Sequence, residues 1–192
     1  ASTYATTFAS PGAHTITVTQ ASSAATLAGT TGPTLAYAPG GDDLTVTLAD
    51  GVPHTVTLGT YADTAALLTD LNTQLAGVAS AQLVAGQLHI SSRDEGSGAS
   101  LTLSGGALGG LGVAAGTATG GDGQVSVEGG TPVTVSHVDT GTTVSLANGV
   151  SFTTGTHLRQ GTASFDVVVP AEGEARLSYS VRYRWAADVK IP

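Results

Sequence analysis

A mainly β protein with one helix is the fold class this chain predicts: an N-terminal α+β module, an antiparallel sheet plus that helix, followed by an all-β, sandwich-like module. Three observations carry the expectation. Short runs alternate apolar and polar residues along most of the chain, the pattern of half-buried strands. One segment, from Thr64 to Leu75 (TAALLTDLNTQL), switches to helical spacing. Between Gly105 and Gly123, nine of nineteen residues are glycine and both patterns stop. That predicts a flexible connector and a boundary near Gly116 to Gly121, with modules at 1–117 and 118–192.

Residues 1–12 are polar and end in Pro11-Gly12, so they read as an arm and a turn. His14 to Gln20 (HTITVTQ) places Ile16 and Val18 on one face and reads as a strand. Ala21 to Gly32 has weak periodicity, fitting a loop or a short helical turn, and Thr34 to Ala38 fits another short strand. Leu44, Val46 and Leu48 alternate, as do Val56 and Leu58, with Asp50-Gly51 between them as a hairpin signal. Asp63 fits an N-cap, Leu67, Leu68, Leu71 and Leu75 form one apolar stripe, and Gly77 fits the residue just past the helix end. Ala81 to Val84 and Leu88 to Ser92 flank Ala85-Gly86 as a second hairpin, and Leu101 and Leu103 give one more strand.

Beyond the glycines, six strand-like runs follow at roughly ten-residue spacing, the pattern of a sandwich or barrel. They are Val125 to Val127, Val133 to His137, Thr143 to Leu146, Val150 to Phe152, Ala163 to Val169 and Ala175 to Trp185. Asn148-Gly149 and Glu172-Gly173 punctuate them. Val167 to Val169 is continuously apolar, as in a strand buried on both faces. In the last run Leu177, Tyr179, Val181, Tyr183 and Trp185 share one face, and Arg176, Ser178, Ser180, Arg182 and Arg184 the other. Fully extended, it spans roughly 35 Å.

Composition narrows the function classes. Charged residues are 10 % of the 192, against the usual quarter, and aromatics 5 %, so each core is built from Val, Leu and Ile. The net charge is −8: residues 1–158 hold ten acids and one base, Arg93, whereas residues 159–192 hold four acids and five bases. Nucleic acid is an unsuitable partner for the acidic part. Cysteine is absent, which removes disulfides and thiolate metal sites. No apolar run approaches the ~20 residues of a spanning helix, so membrane insertion is not expected, and no signal peptide is visible. A chain that begins at Ala1 without Met fits a trimmed complete protein, an excised domain and a processed mature chain equally.

Three stretches resemble the repeat module of flagellar hook-associated proteins, the filament cap and some flagellins, the hook Ile-Asn type. PGAHTITVTQ (11–20) is similar to the strand opening the cap protein's outer domain, and LTVTLADGVPHTVTLG (44–59) to the repeat's first hairpin. Residues 64–106 are similar to its helix, second hairpin and Gly-Ala-Ser segment. Leu71-Asn72 matches the family's Ile-Asn pair late in the helix, Gly77-Val78 its Gly-Val, and Leu88 to Ser92 its Leu-X-Ile-X-Ser strand. The resemblance covers about 100 residues. The long heptad helices that flank flagellar axial proteins are missing, so the chain is either a fragment of such a protein or the same module reused in a phage virion protein.

Chemistry-bearing residues are sparse. His14, His54, His89, His137 and His157 show no metal-ligand spacing; the first four alternate with apolar residues, as on solvent-facing strand positions. Ser136-His137-Val138-Asp139 has the residue types of a catalytic triad, but neighbours on a strand point to opposite faces and no nucleophile elbow accompanies them. Asp42-Asp43, Asp94-Glu95 and Asp122 lie in glycine-rich loops without a calcium-loop pattern and read as solvated turn residues. No catalytic, cofactor-binding or metal-binding residues are expected. The candidate interface is Arg176, Arg182 and Arg184 with Trp185 at the strand's end, facing an acidic partner such as a neighbouring subunit. The expected function is therefore a non-enzymatic structural protein of a virion (tail, fibre or decoration component) that contacts itself as a homo-oligomer and other particle subunits. The alternatives are a fragment of an extracellular flagellar cap or hook-associated protein and an adhesin module for host-surface glycans.

Overall fold

The computed structural model describes residues 2–8, 12–38, 40–139, 141–146, 151–154, 158, 161–167 and 175–181. It is mostly β, with one main helix and four sheets whose described pairings are antiparallel. The chain divides into two units. One comprises Ala1–Ala21, Gln124–Thr134 and Val138–Pro192, the other Ser22–Gly123 and Val135–His137.

In the first unit, β1 (Ser2–Phe8) occupies the residues whose polarity suggests an arm, and β2 (Gly12–Gln20) stands where His14 to Gln20 reads as a strand. β1 pairs with β15 (Ala175–Val181) from Ser2↔Val181 to Phe8↔Ala175, and β2 with β14 (Gly161–Val167) from Gly12↔Val167 to Val18↔Gly161. Polar alternation makes a good strand only when a partner is present, and the partners of β1 lie more than 140 residues away. The sheets order as β12-β13-β1-β15 and β11-β10-β2-β14, with β10 at Gly123–Val127, β11 at Val133–Val135, β12 at Thr143–Ser145 and β13 at Ser151–Thr153. Of the Val167 to Val169 run, Val167 alone is described; it ends β14, the last strand of its sheet's described order. Thr154, 2 % exposed, fastens a loop by donating from its hydroxyl to the Asp139 carbonyl at 2.7 Å.

The second unit has two sheets where the sequence suggests one. β3 (Ala24–Ala28), β7 (Gln87–Glu95) and β6 (Ala79–Val84) form the first, in the order β3-β7-β6. β5 (Pro53–Thr57), β4 (Asp43–Leu48), β8 (Ser100–Ser104) and β9 (Gly116–Thr119) form the second, in that order. β3 replaces the expected loop. Its alanines give no clear alternation, but Ala25 is fully buried against β7's side of the core. Thr34 to Ala38 contributes only a bridge, Ala36↔Thr60.

α1 (Thr64–Gln74) starts where Asp63 accepts the Ala66 N–H at 2.8 Å and ends at Leu75, whose N–H reaches the Leu71 carbonyl at 2.9 Å. Gly77 takes φ 81° two residues beyond this cap, inside the turn that leads to β6. Leu67, Leu71 and Leu75 are fully buried among Leu44, Val46, Val56, Leu88, Ile90, Leu101 and Leu103, so both sheets and the helix share one core. Burial of each leucine contributes roughly 1.5–3 kcal/mol. Two side-chain amides fasten the helix. Asn72 accepts the Ala81 N–H at 2.8 Å and donates to the Ala81 carbonyl at 2.9 Å; Gln74 does the same to Thr57 at 3.0 Å each way.

The glycine-rich stretch is built structure. It holds a second, short helix, α2 (Leu108–Leu111), and β9, which pairs with β8. Leu108, Leu111 and Val113 enter the core. Gly105 has φ 115°, and a Cβ there would stand 2.2 Å from the Asp43 carbonyl oxygen; one on Gly112 (φ 73°) would stand 2.4 Å from that of Thr31. These glycines let backbones touch, a requirement that composition cannot distinguish from flexibility.

Two substitutions separate the readings of that stretch. Gly105→Ala should destabilise the protein by at least about 2 kcal/mol, from strained φ and overlap. Gly109→Ala, in α2 with open space around it, should be neutral or stabilising by up to ~1 kcal/mol. Urea midpoints at constant slope measure both, and equal neutrality would restore the connector. The Ala85-Gly86 turn offers a second test. Both residues have positive φ, 52° and 82°, as a two-residue type I′ hairpin requires. Ala85→Asn should raise stability by about 1 kcal/mol, because alanine is poorly suited to this region and asparagine is tolerated; an unchanged midpoint would contradict the strain.

Candidate assembly surfaces

The arginine strand enters the structure only in part. Arg176 stands on β15 in register with Thr7 of β1. Arg182, Arg184 and Trp185 lie outside the described residues.

The outer face of sheet β5-β4-β8-β9 is tiled with hydroxyls. Leu44, Val46, Val56, Leu101 and Leu103 point into the core, so their strand neighbours point away. Thr55 and Thr57, Thr45 and Thr47, then Ser100, Thr102 and Ser104, then Thr117 and Thr119 line this face across four strands. Thr102 and Thr117 share a hydrogen bond of 2.8 Å between their hydroxyls. Asp43 is the ionisable group among these described residues. An alcohol without a neighbouring base is a weak nucleophile, so this face suits polar contact and not catalysis. The register that creates it is legible only once the strands are paired.

The histidines divide. His137 is exposed, whereas His89 is half-buried on the outer side of β7 and His54 is half-buried on the same side of β5 as Val56. The solvent-facing expectation thus fits His137 best, and His54 stands at the core's rim because its spacing from Val56 is two residues. The side chain of His14 and all of His157 lie outside the described residues. In Ser136 to Asp139, the Ser136 carbonyl accepts from the Gly98 N–H at 2.6 Å and the Asp139 carbonyl from Thr154.

Loop carboxylates accept from backbone. Asp42 takes the Ala38 N–H at 2.7 Å and Asp122 the Ser97 N–H at 2.6 Å. Hydrogen bonds from the Ser97 side chain and backbone hold the Asp122 carboxyl below its ordinary range. Glu95 differs from these. It is 2 % exposed, and the Ser22 hydroxyl donates to it. The β3–β7 register shifts between Ala24 and Thr26, and this bulge turns Glu95 inward, out of the alternation set by Leu88 and Ile90. Ser92, also buried, receives the Ala25 N–H at 3.0 Å and donates to the Asp94 carbonyl at 2.7 Å. The ends of this unit's long segment meet nearby, where Ser23 and Gly121 bridge at 2.9 and 3.0 Å.

A tyrosine pair braces α1 through Asp70. Tyr61 donates to Asp70 at 2.6 Å, and Asp70 also accepts from Gln74 at 2.9 Å. Tyr37 meets Tyr61 edge to face, with ring centroids 6.3 Å apart. Burial, then the Asp70 hydrogen bond, pushes the Tyr61 phenol up to about 12; burial also raises Tyr37.

No protein-family model matches this chain, and no curated protein does. Among solved structures, the flagellar cap protein FliD from Bdellovibrio bacteriovorus is 15 % identical with a TM-score of 0.48, covering 89 % of this chain and 94 % of its own. The FliD D2-D3 domains from Escherichia coli are 20 % identical (TM-score 0.45; 90 % and 91 % covered). Those from Serratia marcescens are 23 % identical (TM-score 0.46; 92 % and 98 %).

The tyrosine assignment predicts a pH dependence. Above pH 10 the unfolded Tyr61 loses its proton while the folded one, with its value near 12, keeps it. The native state then binds more protons, so stability falls as pH rises from about 10 to 12. Tyr61→Phe should flatten this fall, leaving the share of Tyr37, and should lower stability at pH 7 by roughly 1–3 kcal/mol, because Asp70 loses its donor and the Gly59 N–H, which donates to the Tyr61 hydroxyl at 3.3 Å, loses its acceptor. Urea unfolding across that pH range decides it; an unaltered slope would refute the assignment.

Proposed function

We propose that this protein is a non-enzymatic structural subunit of an extracellular bacterial appendage, of the flagellar-cap kind, acting as a homo-oligomer beside other appendage subunits. The observation that carries the reading is the order of elements in residues 43–119. They run strand, Asp-Gly turn, strand, helix, Ala-Gly hairpin and strand, then the glycine-rich α2 and β9. Through the second hairpin and the strand after it, this order is close to that of the flagellar repeat that the sequence resembles, with Leu71-Asn72 at the place of its Ile-Asn pair late in the helix. A virion component built on the same module is the second reading; the order of elements is common to both, and imaging of the assembled particle separates them. A glycan-binding adhesin is the third; it would need an exposed aromatic platform, and the described Tyr37 and Tyr61 instead pack on each other.

Subunit contact is assigned to the arginine strand, Arg176, Arg182 and Arg184 with Trp185, and to the hydroxyl-tiled face. The two surfaces respond differently to salt. Contact through arginines onto an acidic neighbour weakens as ionic strength rises, whereas contact through uncharged hydroxyls changes little. Light scattering with negative-stain imaging of the same sample should show a ring, a trimer or a fibre. Arg182→Glu with Arg184→Glu should shift the assembly toward monomer at 0.15 M salt. A strict monomer at micromolar concentration, with binding in a glycan screen, would transfer the assignment to the adhesin.

A further inference from the structure

Helix α1 touches two strands that end their sheets, β6 in the order β3-β7-β6 and β5 in the order β5-β4-β8-β9. Such strands carry outward-pointing N–H and C=O groups, a template for pairing with another chain. On β6 the outward groups follow from the turn. Ala85-Gly86 closes on the pair Val84↔Gln87, so Gln82↔His89 and Ser80↔Ser91 are also the mutually bonded pairs. Leu83, Ala81 and Ala79 therefore point their backbone groups away from β7.

The helix takes three of these six groups. Ala81 gives both groups to the Asn72 amide, and Ala79 gives its N–H to the Leu75 carbonyl at 3.1 Å. On β5, Thr57 gives both groups to Gln74. Two residues apart on a helix means about 200° of rotation, so the two amides leave α1 on opposite flanks with the leucine stripe between them. Each is held: the second Asn72 N–H reaches the Leu68 carbonyl at 2.9 Å, and Gln74 is braced by Asp70, itself held by Tyr61. An amide presents one donor and one acceptor as a strand residue does, and here it occupies the place a further strand would take.

We propose that Asn72 and Gln74 are edge guards, which close β6 and β5 to strand addition by a second copy of this chain and so confine self-contact to other surfaces. The geometry alone supports this, whatever appendage the protein serves. The test uses the full chain with Asn72→Ala, Gln74→Ala and the double variant, followed by backbone amide exchange and by light scattering against concentration. In Asn72→Ala the Ala81 amide should exchange ~10-fold faster or more, with the Gln82 amide unchanged. Gln74→Ala should do the same at Thr57. The double variant should exceed the mass of the unmodified protein at tens of micromolar, whatever that mass is. Adding Gln82→Lys, an exposed position on β6, should reverse the gain, because edge charge opposes pairing. Asn72→Asp keeps the acceptor and should keep Ala81 protected. Unchanged exchange at Ala81 in Asn72→Ala would overturn the proposal, as would a double variant with both amides exposed and no gain in mass.

Discussion

The second unit depends on how α1 is fixed. Its leucine stripe would pack on many apolar surfaces, since hydrophobic burial has no direction. Direction comes from the amides of Asn72 and Gln74, each bound to both backbone groups of one residue, Ala81 and Thr57. One belongs to each sheet, so the helix sets the separation of the sheets as well as its own register. Leu67, Leu71 and Leu75 then meet residues from both. Losing the Asn72 amide leaves both backbone groups of the buried Ala81 without this partner, a cost out of proportion to one exposed side chain, whereas at the exposed Thr57 water can take the place of Gln74.

A second constraint is close backbone approach. Gly105, Gly106 and Gly112 stand where a Cβ would come within 2.2–2.4 Å of a carbonyl oxygen. The strands of this unit are short and the side chains small, with few aromatics to fill space. Dense packing in such a chain is reached by bringing main chains together. Low complexity and tight packing are here the same property, which is why a stretch with nine glycines in nineteen residues looks like a linker and folds as α2 and β9.

How much was legible follows from the range of each interaction. Asp63, the leucine stripe, Asp50-Gly51 and Ala85-Gly86 act over a few residues, and their signals are local and strong; α1 and both hairpins stand where the pattern places them. β3 and β1 take their strand character from partners that are distant in sequence, 95 pairing with 24 and 181 with 2, and nothing in five alanine-rich or seven largely polar residues announces this. The bulge that buries Glu95 is a register event, invisible before pairing. Of the proposed contact surfaces, the arginine alternation is readable along one strand, whereas the hydroxyl face needs four strands in register to exist at all.

Assembly makes specific demands on such a surface. A subunit that repeats itself must present contacts that pair in one geometry and withhold those that pair in many. Strand edges are the least selective contacts a β protein has, since any extended backbone fits them. Here α1 covers two of them with neutral amides, in a region where charge is scarce: Arg93 is the one base in residues 1–158. Charged gatekeepers would have repelled identical neighbours as effectively as misplaced ones. Amides bonded to the edge they cover remove the backbone template without adding repulsion, and do not oppose the contact proposed for the threonine face, where Asp43 is the one ionisable group among the described residues. The same sparing use of charge thus fits both closing the edges and keeping a face that can be shared between copies.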